Sequence, residues 1–195
     1  SMVREFGLVP EDRVLDEHGY KAVYNRRLMQ RVNDRLERLE RGELGVEDFT
    51  IKGAVPLLER LGRAGLRLYL ASGTDQQDVE REAAALGYAA LFQGRIYGAR
   101  GDLSHEPKRV VLERILAEIG EASIGRVVTF GDGPVEIRET RKRGGLAVGV
   151  ASNEVRRYGL EVSKRARLIQ AGAHLIIPDF SQGARLLETL GLDAE

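Results

Sequence analysis

The chain has no cysteine among its 195 residues. That absence excludes disulfides and thiolate metal sites. It also lacks an excess of charge of either sign: 30 Lys and Arg balance 30 Asp and Glu, for a formal net charge of zero. A nucleic-acid module usually carries a strong basic excess, so a nucleic-acid partner is not expected. No apolar run approaches the roughly 20 residues of a membrane span. Val3-Arg4-Glu5-Phe6 is not a targeting segment, so no membrane partner is expected and a cytoplasmic setting is. The three histidines, His18, His105 and His174, lack the i, i+4 spacing of a helical zinc site. There is no internal repeat and no low-complexity linker. What is present is a 43% hydrophobic, highly charged chain, long enough to bury a proper core.

The pattern divides into a helical front, residues 1–48, and an α/β remainder, residues 49–195. Leu28, Val32, Leu36 and Leu39 recur at helical spacing, which predicts one long amphipathic helix over about Tyr20 to Arg41, ended by Gly42. Val55, Leu57, Leu58 and Leu61 predict a short helix, and Leu66 to Ala71 a strand ended by Ser72-Gly73-Thr74. Val79, Ala83 and Leu86 mark the next helix, and Gly94 to Gly98 a brief extended segment. Pro107 opens a helix through Ile119. Arg126–Phe130, Leu146–Val150 and His174–Ile177 read as strands, and Leu186, Leu187 and Leu190 as a last helix. Such alternation implies βαβ units and a mainly parallel α/β sheet. Ligands in such sheets sit beyond the carboxyl ends of the strands. Ser72 and Asp132 fall at two of those ends.

A small hydroxyl at Ser72, followed by Gly73, suits a phosphoryl oxygen held by neighbouring N–H groups. The same residues also favour an ordinary turn. Asp132 stands between Gly131 and Gly133, with Glu136 four residues on. Carboxylates so placed suit a hard cation such as Mg²⁺; a helix N-cap and a first-turn acid is the other reading. Lys108 lies in the first turn of its helix, where the helix dipole disfavours a cation. It is either a phosphate-neutralising group or a surface lysine. Lys164-Arg165-Ala166-Arg167 reads as a solvated helix face, and His174 as a structural residue. Gly131-x-Gly133 lacks the third glycine of a dinucleotide fingerprint, which argues against a nucleotide-binding Rossmann domain.

Together, Leu70-Ala71-Ser72-Gly73-Thr74, Lys108 and Gly131-Asp132…Glu136 resemble motifs II, III and IV of the haloacid dehalogenase superfamily of aspartate-based phosphatases. The resemblance runs from about Thr50 to Phe180 and implies a three-layer Rossmann-like α/β core. It implies that Ser72 and Gly73 bind the transferring phosphoryl group and that Lys108 neutralises it. It further implies that Asp132 and Glu136 hold Mg²⁺, and that the substrate is a small phosphorylated metabolite.

The first motif of that family, Asp-x-Asp-Gly-Thr after a buried strand, has no proper match. The best candidate nucleophile is Asp16, in Asp16-Glu17-His18-Gly19-Tyr20, but Asp12-Arg13-Val14-Leu15 before it is too short and charged for a central strand. Two expectations follow. Either an upstream segment carries the first strand and half of a helical cap, Tyr20 to Arg41 being the other half, and this chain alone is inactive or nearly so. Or the chain is a degenerate, non-catalytic module for binding or oligomerisation. In either case the resemblance makes the missing motif the central strand. The sheet should then be rearranged, or completed by an upstream segment or by self-association.

Overall fold

The structure, a computed structural model, describes residues 6–7, 10, 13–100 and 106–192. It divides into two compact units, Ser1–Gly45 and Val46–Glu195.

The first unit holds helix α1, Glu17–Glu40. Asp16 caps it, its Oδ1 accepting the Gly19 N–H at 2.7 Å. Its far end is closed by Gly42, at φ +71°. The Glu43 N–H donates to the Arg38 carbonyl and the Gly42 N–H to the Leu39 carbonyl, which satisfies two orphan acceptors of the last turn.

The second unit alternates helices and strands. In order these are α2 (Ala54–Arg63), β1 (Leu70–Asp75), α3 (Gln76–Ala85), β2 (Ile96–Ala99) and α4 (Pro107–Ile119). The one-turn α5 (Glu121–Ile124) follows, then β3 (Val128–Gly131), α6 (Pro134–Lys142), β4 (Leu146–Val150), α7 (Val162–Gln170), β5 (Leu175–Ile177) and α8 (Gly183–Thr189). Among the described residues every pairing between these strands is parallel, but they form two sheets, β1-β2 and β3-β4-β5. Among the described residues β1 and β3 are not paired, and no strand lies before β1. A central strand would fall between β1 and β3; most of residues 3–12, where the chain itself could supply one, lie outside the described residues.

Helices hold the two sheets in one layered core. On one face, Leu57 and Leu61 of α2, Val79 and Ala83 of α3 and Leu186 and Leu187 of α8 form one apolar cluster. Leu70 of β1, Phe130 of β3 and Ile177 of β5 all pack against it. On the other face α4 packs on β1 and β2, α6 on β3 and β4, and α4 touches α6. Among the described residues, the side of β1 away from β2 and the side of β3 away from β4 thus have no strand partner within this shared core. In β4, Ala147 and Val148 are fully buried, as in a strand covered on both faces.

Strand β1 starts later than the pattern predicts, at Leu70 rather than Leu66, and runs through Ser72-Gly73-Thr74. The ladder with β2 begins only at Leu70–Ile96. Before it, the Leu68 carbonyl accepts from the Arg95 guanidinium at 3.1 Å instead of a strand partner. Apolar alternation marks a buried stretch, but a strand also needs a neighbour.

Candidate active site

The glycines of Gly131-Asp132-Gly133 make room for one side chain. A Cβ on Gly131 would lie 2.1 Å from Glu136 Cγ, and one on Gly133 would lie 3.0 Å from Glu136 Oε2. Pro134 starts α6 and turns Glu136 back over the end of β3, where its Oε1 accepts the Gly133 N–H at 2.9 Å. Glu136 is only 3% exposed and is held by Lys108, whose Nζ donates to Oε1 at 2.7 Å. Oε2 is buried and has no hydrogen-bond partner.

Lys108 follows Pro107 in the first turn of α4. The end of β1 comes down on it: a Cβ on Gly73 would sit 3.5 Å from Lys108 Cβ. Ser72, one residue earlier, is partly buried, and its Oγ accepts the Thr74 N–H at 3.1 Å. Gly73, next to Ser72, thus lies against Lys108, and the Lys108–Glu136 pair links the end of β1 to the end of β3. Lysine has three donors, so the Lys108 ammonium keeps capacity beyond Glu136.

Asp132 is the exposed member, with a side-chain exposure of 57%. Its Oδ2 receives Lys164 Nζ at 3.3 Å, and the same ammonium lies 3.0 Å from Glu154 Oε1. This corrects the reading of residues 164–167 as a solvated face: Arg165 and Arg167 are exposed, but Lys164 is buried. It stands one turn before the fully buried Leu168 and shares its side of α7. A signal for Lys164 was available. Like Lys108, it puts a cation in a first helical turn, against the helix dipole. Glu154 carries no such signal in a loop of mixed charge.

The loop between β4 and α7 is fixed by Asp179, after β5. Its Oδ2 accepts the Gly159 N–H and its Oδ1 the Ser181 N–H, each at 2.9 Å, with the Ser181 hydroxyl also donating. Burial alone would raise this carboxyl. The hydrogen bonds from Ser181 and Gly159 outweigh it and hold Asp179 below the ordinary aspartate range.

Among the other candidates, Asp16 lies in the Ser1–Gly45 unit as the cap of α1. His174 is structural: its Nδ1 accepts the Ala147 N–H at 3.0 Å. His105 and the side chain of His18 lie outside the described residues.

Comparison with known proteins gives one family and one fold. The sequence model of the haloacid dehalogenase-like hydrolases matches residues 7–142, so the match begins well before Thr50 and takes in α1. No curated protein matches. A conserved haloacid dehalogenase-like protein of unknown function from Agrobacterium tumefaciens is similar at TM-score 0.65 and 20% identity, over 97% of this chain and 75% of that one. A predicted phosphatase from Clostridium acetobutylicum has TM-score 0.55 and 19% identity, over 71% of this chain and 59% of that one. A HAD family hydrolase from Deinococcus radiodurans, with bound phosphate and sodium, has TM-score 0.53 and 21% identity, over 73% and 60%. At these identities the structural likeness carries the fold. The chain matches about three-fifths of the length of the latter two.

Proposed function

The chain belongs to the haloacid dehalogenase-like hydrolases, and on that premise we propose that it forms the phosphate- and metal-holding part of a Mg²⁺-dependent phosphomonoester hydrolase. The observation that carries this reading is the Lys108–Glu136 pair beside the edges of β1 and β3 that have no partner among the described residues. The substrate class is a small phosphorylated metabolite, and the setting is the cytoplasm.

Ser72 Oγ and the Gly73 N–H at the end of β1 hold phosphoryl oxygens, and Gly73 gives them space. Lys108 turns its remaining donors to the same oxygens, while Glu136 fixes its ammonium in place. The donor set fits a hard divalent ion. Asp132 presents an exposed carboxylate and Glu136 an oxygen without a partner, and Mg²⁺ accepts such ligands while keeping several waters. Among the described residues no group of three or more His, Cys, Asp or Glu is placed to hold a metal, so a protein-only cage is not part of the proposal. When bound, the ion neutralises charge on the transferring phosphoryl group.

The attacking carboxylate enters on a strand between β1 and β3. That strand comes from outside the Val46–Glu195 unit, either upstream in the chain or from a second copy. Attack on phosphorus forms an acyl phosphate as the phosphorus–oxygen bond to the leaving alcohol breaks; water then releases phosphate. Without that strand the chain binds phosphate but turns over little. The non-catalytic alternative draws on one observation, that both proposed metal-binding carboxylates are already paired with lysines.

The test is hydrolysis of p-nitrophenyl phosphate and a panel of sugar phosphates with Mg²⁺, alongside binding of inorganic phosphate. Binding weakened about tenfold or more by Lys108→Met, with at most trace turnover, supports the reading. Robust turnover abolished by Asp16→Asn would move the nucleophile to Asp16. Absence of phosphate binding would remove the proposal.

A further inference from the structure

We propose that Lys164 is a tethered cation that competes with the divalent ion for Asp132, and that Glu154 is where its ammonium retreats when the ion binds. The proposal rests on the reading of Asp132 as a metal ligand.

Three observations point to it. Lys164 is buried, yet both of its partners are exposed carboxylates, so its charge is held at the rim of the site. Its Nζ is shared, 3.3 Å from Asp132 Oδ2 and 3.0 Å from Glu154 Oε1, and the shorter contact is the one away from the proposed metal position. Finally, Glu136 has its own lysine, Lys108, on Oε1, whereas Lys164 is paired with Asp132 and Glu154, so the exchange concerns Asp132.

A dication on Asp132 is repelled by an ammonium on the same carboxylate. A buried ammonium that simply lost Asp132 would be left uncompensated, which is costly. Glu154 removes that difficulty. The lysine stays paired whether or not the ion is present, and only its share of Asp132 changes. The two carboxylates therefore act oppositely on metal affinity, one as ligand and one as holder of the competitor. A purely structural salt bridge has no such property.

The experiment is calorimetric titration of the full chain with MgCl₂, repeated with MnCl₂ and read by water-proton relaxation. Lys164→Gln is expected to tighten binding about tenfold, and Glu154→Gln to weaken it severalfold, because the ammonium then falls wholly on Asp132. Arg165→Gln, an exposed neighbour on the same helix, controls for net charge and is expected to change affinity less than twofold. Circular dichroism verifies the fold, and Lys164→Met serves if Lys164→Gln does not fold. Unchanged or weaker binding in the Lys164 variants overturns the proposal, as does an equal gain from Arg165→Gln. If Asp132→Asn abolishes binding while the Lys164 variants leave it unchanged, only the competition is refuted. If binding survives Asp132→Asn, or neither the wild type nor the Lys164 variants bind, the metal assignment fails and the competition fails with it.

Discussion

Lys108→Met and Glu136→Gln should destabilise the protein unequally, and the structure says which is worse. The Lys108 side chain is 34% exposed and that of Glu136 is 3% exposed, across a 2.7 Å contact. At an effective dielectric near 20, two charges this close attract by about 6 kcal/mol gross. Most of that offsets the desolvation of bringing them together, and the net depends on what each partner does alone. After Glu136→Gln, the Lys108 ammonium can turn to water, and the amide oxygen can still accept the Gly133 N–H. The expected cost is about 1–2 kcal/mol. After Lys108→Met, a buried carboxylate keeps one backbone donor and no cation, for about 3–5 kcal/mol. The double variant removes both charges and should cost less than the two singles summed, with a coupling of about 1–3 kcal/mol. Urea unfolding followed by circular dichroism measures all four proteins. Equal costs for the singles, or additivity within about 0.5 kcal/mol, would refute the view that this pair is a desolvated bridge beside the sheet break.

Further outcomes follow from other contacts. Asp179 is held below its unfolded value, so its stabilisation is complete above roughly pH 4 and is lost as pH falls through the lower folded value. The melting-temperature gap between wild type and Asp179→Asn should therefore narrow on acidification below about pH 4; a constant gap would contradict this. Gly53 has φ +78°, and a Cβ there would meet the Phe180 carbonyl oxygen at 2.4 Å. Gly53→Ala should cost at least about 2 kcal/mol in urea unfolding, and a neutral result would refute the close approach. Leu70 N–H donates to the Arg95 carbonyl and Leu146 N–H to the Val127 carbonyl, so ladder alternation turns the Ala71 and Phe130 N–H groups away from β2 and β4. Their amides should exchange with solvent faster than that of Val148 in the central strand; equal protection would mean that the open edges are covered.

Much of this was legible in the sequence because it depends on local chemistry. The glycines around Asp132, Pro134 at a helix start and Glu136 three positions past the Gly133 cap specify a compact turn, and the turn forms. Lys108 was legible because a cation in a first turn needs a reason. The missing apolar strand was expected to leave a gap between β1 and β3, which are unpaired among the described residues. The remainder depends on partners distant in the chain. The start of β1 is set by where β2 begins, 26 residues on in the Leu70–Ile96 pairing, and Leu66–Tyr69 cannot encode that. Lys164 meets Asp132 across 32 positions, so a charge run read by itself looked solvated.

The central claim, that Ser72, Gly73, Lys108, Asp132 and Glu136 form one phosphate-holding site, is tested most directly by an NMR titration with inorganic phosphate in the presence of Mg²⁺, following backbone amides. The account predicts saturable shifts concentrated at Ser72–Thr74, Lys108 and Asp132–Glu136, lost in Lys108→Met. Shifts centred elsewhere, or none at millimolar phosphate, would contradict it.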